Sequence, residues 1–148
     1  MEQIKFVIPG KPFGKQRPRM TKAGMAYTPK ETTSYENLIK RACQDSKNDI
    51  YFGVNQPIGL GIKAYYPIPG STSKKARAAM LNGQMLPTKK PDCDNIVKIV
   101  ADALNGIAYH DDKQIVINIV EKHYAEEPRV EVIIWGIDMP LKAVGLWS

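Results

Sequence analysis

Hydrophobic and polar residues alternate along four stretches of the chain, which is the pattern of half-buried β-strands. In the first stretch, Ile4, Phe6 and Ile8 share one side, and Pro9 ends the run. The alternation returns over residues 58–66 and then in two β-rich runs, QIVINIVEKHY and PRVEVIIWG. The short polar segment AEEP joins those two runs, so we expect them to form a hairpin.

Three further stretches have the three- and four-residue spacing of amphipathic helices. The first begins after Thr28, the predicted N-cap, with Pro29 at the first helical position and Glu31 in the place of a capping box. A short basic helix is predicted within STSKKARAAMLNGQ. The third helix is predicted over residues 94–105, and Gly106 is placed to end it.

The order of the predicted elements, β-α-β-α-α-β-β, is typical of an α+β or mixed α/β domain. We therefore expect residues 1–148 to form a single domain in which helices pack on a mixed sheet of about four strands. The final segment, IDMPLKAVGLWS, has no clear period. Its apolar residues are expected to pack on the domain or on a second subunit.

The composition of the chain is typical of a globular protein. Hydrophobic residues make up 43% of the 148 residues, which is enough for a core without disulfide bonds. No apolar run approaches the roughly 20 residues of a membrane-spanning helix, and the amino-terminal residues lack the features of a signal peptide. We therefore expect a cytoplasmic protein without a membrane partner. Cys43 and Cys93 lie far apart in different predicted elements and indicate neither a zinc site nor a disulfide framework.

The charge of the chain indicates a polyanionic partner. The chain contains 21 Lys and Arg against 15 Asp and Glu, with a formal net charge of +6. Any one basic cluster is equally well explained by solvation of a surface, but three clusters, two of them in loop-like sequence, favour a phosphate backbone. The predicted DNA-binding residues are Lys11, Lys15, Arg17, Arg19, Lys74, Lys75, Arg77, Lys89 and Lys90.

Two acidic pairs flank the third predicted helix, with Asp92 and Asp94 at its start and Asp111 and Asp112 after it. If the short return loop brings the second pair beside the first, the clustered carboxylates require a cation. Oxygen ligands of this kind favour Mg²⁺ or Mn²⁺. The structural alternative stays open at this point, because Asp94 is a good helix cap and the second pair is typical of a turn.

The polar face of the third predicted helix adds to the metal hypothesis. Lys98 lies one turn after Asp94, where it either forms an ordinary i,i+4 ion pair or reaches the scissile phosphate and stabilises its developing charge. Asn95, Asp102 and Asn105 extend the same face and are candidates for orienting the aspartates. The sequence contains no glycine-rich phosphate-binding loop and no G-x-S-x-G, and its two histidines are not spaced as zinc ligands.

The segment KPDCDNIVKIVADALNG…HDDKQI resembles the signature of the RusA family of Holliday junction resolvases, small dimeric endonucleases that prophages often encode. The shared pattern is a basic residue, D-x-D-N, a lysine four positions after the second aspartate, D-A-L, and then D-D-x-Q. IPGKPFGKQRPRM and AYTPKETTSYE resemble the family as well. The similarity therefore spans most of the chain.

The resemblance implies a Mg²⁺-dependent, structure-selective endonuclease, with Mn²⁺ as a substitute metal. It implies a homodimer that resolves four-way DNA junctions by paired symmetric nicks, in recombination, repair or phage DNA processing. The catalytic set carried over by the motif is Asp92, Asp94, Lys98 and Asp112, and the metal ligands are the three aspartates with Asp111 adjacent. Two alternatives stay open: a non-catalytic DNA-binding protein derived from such an enzyme, and a broader nuclease acting on flaps or branched DNA.

Overall fold

The computed structural model describes residues 2–138 as a mixed α+β fold. The elements are β1 (Gln3–Pro9), β2 (Arg19–Met20), β3 (Ala26–Tyr27), α1 (Lys30–Ser46), β4 (Ile58–Pro67), α2 (Lys74–Leu81), α3 (Cys93–Ala103), β5 (Ile115–Ala125) and β6 (Arg129–Gly136). One sheet has the order β1-β6-β4-β5, and β2 pairs with β3 separately. The expected packing of the final apolar residues, from Leu141 onward, lies outside the described part. None of the helices within residues 2–138 is long and apolar enough to cross a membrane.

The core lies between the four-stranded sheet and the helices α1 and α3. Alternate residues of β1 are buried, so Ile4, Phe6 and Ile8 contact this core while Lys5 and Val7 are exposed. From the helices, Ile39, Ile96 and Ile99 fill the same core and are at most 1% exposed. Burying each such side chain contributes about 1.5–3 kcal/mol, so both helices are fixed firmly to the sheet.

The predicted hairpin between the last two strands is wrong. β5 and β6 lie on opposite sides of β4, since Tyr65 pairs with His123 on one side and with Arg129 on the other. β4 takes an interior place because residues 58–62 are all buried, whereas β5 has no buried residue and suits the edge of the sheet. The connection over residues 126–128 therefore crosses the end of β4. Alternation predicts a half-buried strand but does not say which strand lies beside it.

The predicted helix ends differ from the structure by one or two residues. The N-cap of α1 is Pro29 rather than Thr28, and no side chain caps that helix. The N-cap position of α3 is Asp92 rather than Asp94. Gly106, just beyond the end of α3, has a φ of +77°, a conformation that glycine adopts readily. The β2–β3 hairpin was not predicted, because strands of two residues have no detectable period.

Candidate active site

α3 holds polar residues on a rigid apolar base. Its apolar stripe includes Ile96, Ile99 and Val100, and the helix packs against α1 and β5. Asp94 and Lys98 lie on the exposed side of the same helix. Because the buried stripe fixes the rotation of the helix, the directions of the exposed side chains are fixed as well.

The amino-terminal end of α3 is attached to β4 through Tyr66. The Tyr66 hydroxyl donates a hydrogen bond of 2.6 Å to the Pro91 carbonyl oxygen. Lys122 Nζ lies 5.1 Å from the centroid of the Tyr66 ring and donates to the Lys89 carbonyl oxygen at 2.6 Å. Burial raises the pKa of Tyr66 to about 12, and the negative charge of Asp92 adds to the rise. The hydroxyl therefore stays a donor at neutral pH and fixes the loop that leads to Asp92.

The first acidic pair lies at this end of α3. Asp92 occupies the N-cap position, but its side chain makes no capping hydrogen bond. Asp94 lies in the first turn and is exposed. Helix capping is the structural explanation for an aspartate at this place. The hydrogen bond through which a cap stabilises a helix is not formed by Asp92, so capping does not explain this residue.

The carboxyl-terminal end of α3 contains a carboxylate contact that spacing alone did not indicate. Asp102, in the last turn, lies within hydrogen-bonding reach of the Asp112 carboxyl. Asn105 Nδ2 donates to Asp112 Oδ2 at 3.4 Å. Partial burial raises the pKa of Asp112, the Asn105 hydrogen bond opposes the rise, and the Asp102 and Asp111 carboxyls add to it. Neighbouring carboxyl groups of this kind favour a shared proton or a bound cation.

Asp111 has a structural role beside Asp112. One of its carboxylate oxygens accepts a hydrogen bond from the Lys113 backbone N–H at 3.0 Å, and Gln114 Oε1 accepts one from the Asp111 backbone N–H at 2.8 Å. These bonds form a capping box for a single 3₁₀ turn, Asp112–Gln114. The buried amide of Gln114 also donates to the carbonyl oxygens of Phe52, Gly53 and Gln56. The D-D-x-Q pattern therefore combines residues that fold the segment with Asp112, which faces α3.

The two acidic pairs lie at opposite ends of α3, and we call the surface that carries Asp92, Asp94, Asp102 and Asp112 the acidic surface. Asp94 and Asp102 are eight positions apart, which is about 12 Å along a helix axis. Within residues 2–138, no group of three or more His, Cys, Asp or Glu side chains is arranged to hold a metal ion. The expectation that the return loop brings the second pair beside the first is wrong, because the loop ends at the carboxyl-terminal end of α3.

Lys15, predicted to bind DNA, contacts the acidic surface. Its Nζ lies 3.1 Å from Glu36 Oε2 on α1 and 3.6 Å from Asp102 Oδ2 on α3. Its backbone N–H donates to the Asn95 carbonyl oxygen at 3.0 Å. The structure therefore places this lysine between the two helices, in contact with carboxylates.

The other predicted basic residues have more open surroundings. Arg77 is half-buried, and its guanidinium lies 2.9 Å from Glu126 Oε1. Lys98 is exposed, and among residues 2–138 no ion pair joins it to Asp94, so the ordinary i,i+4 explanation is not realised. The remaining predicted DNA-binding residues are exposed: Lys11, Arg17, Arg19, Lys74, Lys75, Lys89 and Lys90.

The sequence of the chain matches a family of DNA-cleaving enzymes. The sequence model of the family described as "Endodeoxyribonuclease RusA" matches residues 9–135, which is most of the chain and includes every residue of the acidic surface. The chain therefore belongs to the RusA endodeoxyribonuclease family, and the resemblance inferred from the motifs is confirmed.

A relative from Bacillus subtilis (strain 168) is similar along almost its whole length. This relative, "Uncharacterized protein YqaN", is 40% identical over 140 residues, and the alignment covers 90% of this chain and 96% of the relative. The similarity therefore extends over nearly the whole of both sequences rather than over one shared motif.

Proposed function

We propose that this protein is a Mg²⁺-dependent endonuclease that resolves four-way DNA junctions as a homodimer. The observation that carries the proposal is the acidic surface, where motif aspartates stand on a buried apolar base and two of them, Asp92 and Asp112, cap no helix with their carboxylates. Asp92 makes no capping hydrogen bond, and Asp112 faces a second carboxyl group. Stabilisation of the fold accounts for neither arrangement, whereas binding of a cation accounts for both.

The donor atoms at both ends of α3 fit a hard divalent cation. One end presents the carboxylates of Asp92 and Asp94, and the other presents those of Asp102 and Asp112. Carboxylate and amide oxygens are the ligands that Mg²⁺ and Mn²⁺ prefer. When bound, Mg²⁺ supplies Lewis-acid stabilisation of the charge on the phosphate and a nucleophile generated from water. The protein's part is to hold these oxygens on a fixed helix that a phosphodiester can approach.

A second copy of the chain completes the site in this proposal. The acidic pairs on one α3 are separated by about 12 Å along the helix axis, which is too far for ligands of one ion. A two-fold axis that places the α3 helices of two copies antiparallel brings Asp92 and Asp94 of one copy beside Asp102 and Asp112 of the other. Such a dimer contains two equivalent sites, which suits paired cuts in a four-way junction of similar symmetry.

Basic residues supply the positive potential that the phosphate requires. Lys98 lies one helical turn from both Asp94 and Asp102, so its ammonium adds positive charge between the two acidic pairs. The exposed basic residues contact the phosphates of the junction arms: Lys11, Arg17, Arg19, Lys74, Lys75, Lys89 and Lys90. Contacts of this kind position the DNA without reading its sequence.

Cleavage of a synthetic four-way junction tests the proposal. With Mg²⁺, the wild-type protein is expected to make symmetric nicks confined to the junction, to leave linear duplex of the same sequence uncut, and to lose activity in EDTA. Asp92→Asn is expected to lower the cleavage rate about 100-fold or more, because it removes a carboxylate from the proposed metal site. Asp45→Asn, which changes an exposed aspartate on α1, is the matched control.

The alternative functions give different results in the same assay. Tight junction binding without cleavage in Mg²⁺ or Mn²⁺ identifies a DNA-binding protein that does not catalyse hydrolysis. Equal cleavage of junction and linear duplex identifies a broader nuclease. Either result contradicts the proposed junction resolvase.

A further inference from the structure

The loop that carries the first basic cluster is docked against both helices beside the acidic surface. Phe13 packs on Tyr35 of α1, with ring centroids 5.3 Å apart. A Cβ atom on Gly14 would lie 2.9 Å from Pro91 Cβ and 3.0 Å from Asn95 Cβ, so the loop main chain approaches the start of α3 more closely than other residues allow. The loop is therefore held at this point by packing.

The two following residues are held in the same way. The Lys15 backbone N–H donates to the Asn95 carbonyl oxygen at 3.0 Å. Gln16 Oε1 accepts a hydrogen bond of 3.1 Å from the Thr32 hydroxyl, and Thr32 is fully buried on α1. Four consecutive residues, 13–16, thus contact α1 or the segment that begins α3. The position of the Lys15 side chain is set by this docking as well as by its charge.

The Lys15 ammonium is surrounded by acid. It lies 3.1 Å from Glu36 and 3.6 Å from Asp102, and the side chains of Lys15 and Glu36 are only 21% and 18% exposed. The Asp102 carboxyl in turn lies within hydrogen-bonding reach of Asp112. One ammonium therefore stands beside a row of three carboxyl groups, in a partly buried place where charges interact more strongly than in bulk water.

We propose that Lys15 is the internal counter-charge of the acidic surface and weakens, by competition, the binding of a divalent cation beside Asp102 and Asp112. Neighbouring carboxylates repel one another unless a cation lies near them, and Lys15 provides that cation when no metal is bound. Glu36 draws the ammonium toward α1, so that Lys15 only partly neutralises Asp102. The inference rests on the proposed function in one respect, which is that this end of α3 binds Mg²⁺.

This arrangement requires opposite effects from two substitutions. Lys15→Met removes a positive charge beside Asp102, so the affinity for a divalent cation rises. Glu36→Gln removes the carboxylate that competes with Asp102 for the Lys15 ammonium. Lys15 then neutralises Asp102 more fully, so the affinity for a divalent cation falls. A general loosening of the docked loop would instead weaken cation binding in both variants, and a lysine used only to contact DNA would change cation binding in neither.

Binding of Mn²⁺ to the full chain without DNA, followed by electron paramagnetic resonance, tests the inference. Lys15→Met is expected to lower the dissociation constant about threefold or more, and Glu36→Gln to raise it by a similar factor, as expected for unit charges a few ångströms apart. Lys22→Met is the matched control and leaves the constant unchanged. Lys22 is exposed and forms no ion pair among residues 2–138.

The outcomes separate this inference from the proposed function. Wild-type Mn²⁺ affinity in Lys15→Met, or changes of the same sign in both variants, overturns the inference even if the wild-type protein cleaves junctions. A wild-type protein that binds no Mn²⁺ overturns the proposed function and the inference together. If Lys15→Met does not fold, Lys15→Gln removes the same charge and takes its place, and an affinity for Mn²⁺ that does not rise in that variant overturns the inference.

Discussion

Asp111 and Asp112 are adjacent in the chain, yet their carboxylates have different surroundings. Asp111 accepts a hydrogen bond from the backbone of its own 3₁₀ turn. Asp112 receives its hydrogen bond from Asn105 and faces the Asp102 carboxyl. An aspartate at position 111 therefore stabilises the fold. The aspartate at position 112 is repelled by a neighbouring carboxylate, and a bound cation would remove that repulsion.

Asp112→Asn is expected to stabilise the metal-free protein. The pKa of Asp112 is raised in the folded state, which means that folding disfavours its ionised form at neutral pH. With allowance for solvent screening at this partly exposed site, Tm at pH 7 in EDTA should rise by about 1–3 °C. Thermal denaturation checks this, and a lower Tm in the variant contradicts the repulsion between Asp102 and Asp112.

Asp111→Ala is the matched comparison, and it should lower the stability of the metal-free protein rather than raise it. It removes the carboxylate oxygen that caps the 3₁₀ turn, so the free energy of unfolding should fall by about 1 kcal/mol. Urea denaturation in EDTA measures the change. Stability equal to that of the wild-type protein would show that the cap contributes nothing.

The family motif marks three aspartates in the sequence but does not mark all of the residues that lie beside them. The motif that contains Asp92, Asp94 and Asp112 can be recognised from the order of the residues alone. The position of Lys15 does not, because it depends on Phe13 and other loop residues packing against helices that are distant in the sequence. A basic residue in a Gly- and Pro-rich loop has the same sequence appearance whether it contacts solvent, DNA or a carboxylate.

At the scale of elements, strands and helices were predictable while strand pairing was not. Alternation and helical spacing depend on which residues of a segment are buried, and the order of apolar and polar residues within that segment indicates this. The place of β4 between β5 and β6 depends on competition among all strands for the most buried position. The connection at 126–128 is as short as the turn of a hairpin. Three residues can nevertheless span two strand spacings, about 10 Å, so a connection of this length also fits two strands that are separated by a third.

Mixing two inactive variants tests whether α3 contributes its two ends to different sites. Asp92→Asn and Asp112→Asn are each expected to be inactive, but a mixed dimer retains one intact site. With random exchange, nicking of junction DNA should return to about a quarter of the wild-type rate, since half of the dimers are mixed and each has one of two sites.

A second mixture serves as the control for this prediction. Asp92→Asn and Asp94→Asn change the same end of α3, so no mixed dimer contains an intact site and no activity should return. Failure of the first mixture to recover nicking, with subunit exchange demonstrated, would mean that each chain contains a complete site.

For the whole molecule, buried weak acids predict a loss of stability in alkali. Burial raises the pKa of Cys43 from 9.0 to about 11 and that of Tyr66 from 10.0 to about 12. Burial also raises the pKa of Tyr35 and Tyr109. In the unfolded chain these groups ionise at lower pH, so their contribution is fully present below pH 9 and is lost as pH rises through the folded pKa values.

Urea denaturation between pH 8 and pH 11 checks this expectation. The urea midpoint of the wild-type protein should fall steadily above pH 9. Cys43→Ala should be less stable at pH 8, because it leaves a cavity in the core, but its midpoint should fall less steeply between pH 9 and pH 10. A wild-type midpoint that is constant up to pH 11 would contradict the buried, protonated state of these side chains.

The helix α3 also acts as a spacer of fixed length. Deleting one residue between Asn95 and Ala101 would shorten the helix by about 1.5 Å and turn everything after the deletion by about 100°. That change would move Asp102 off the acidic surface and part of the apolar stripe out of the core. The exposed turn at 21–25 carries no such constraint. Over evolutionary time, gains and losses of residues should therefore accumulate in that turn, while the interval between the two aspartate pairs changes only by substitution.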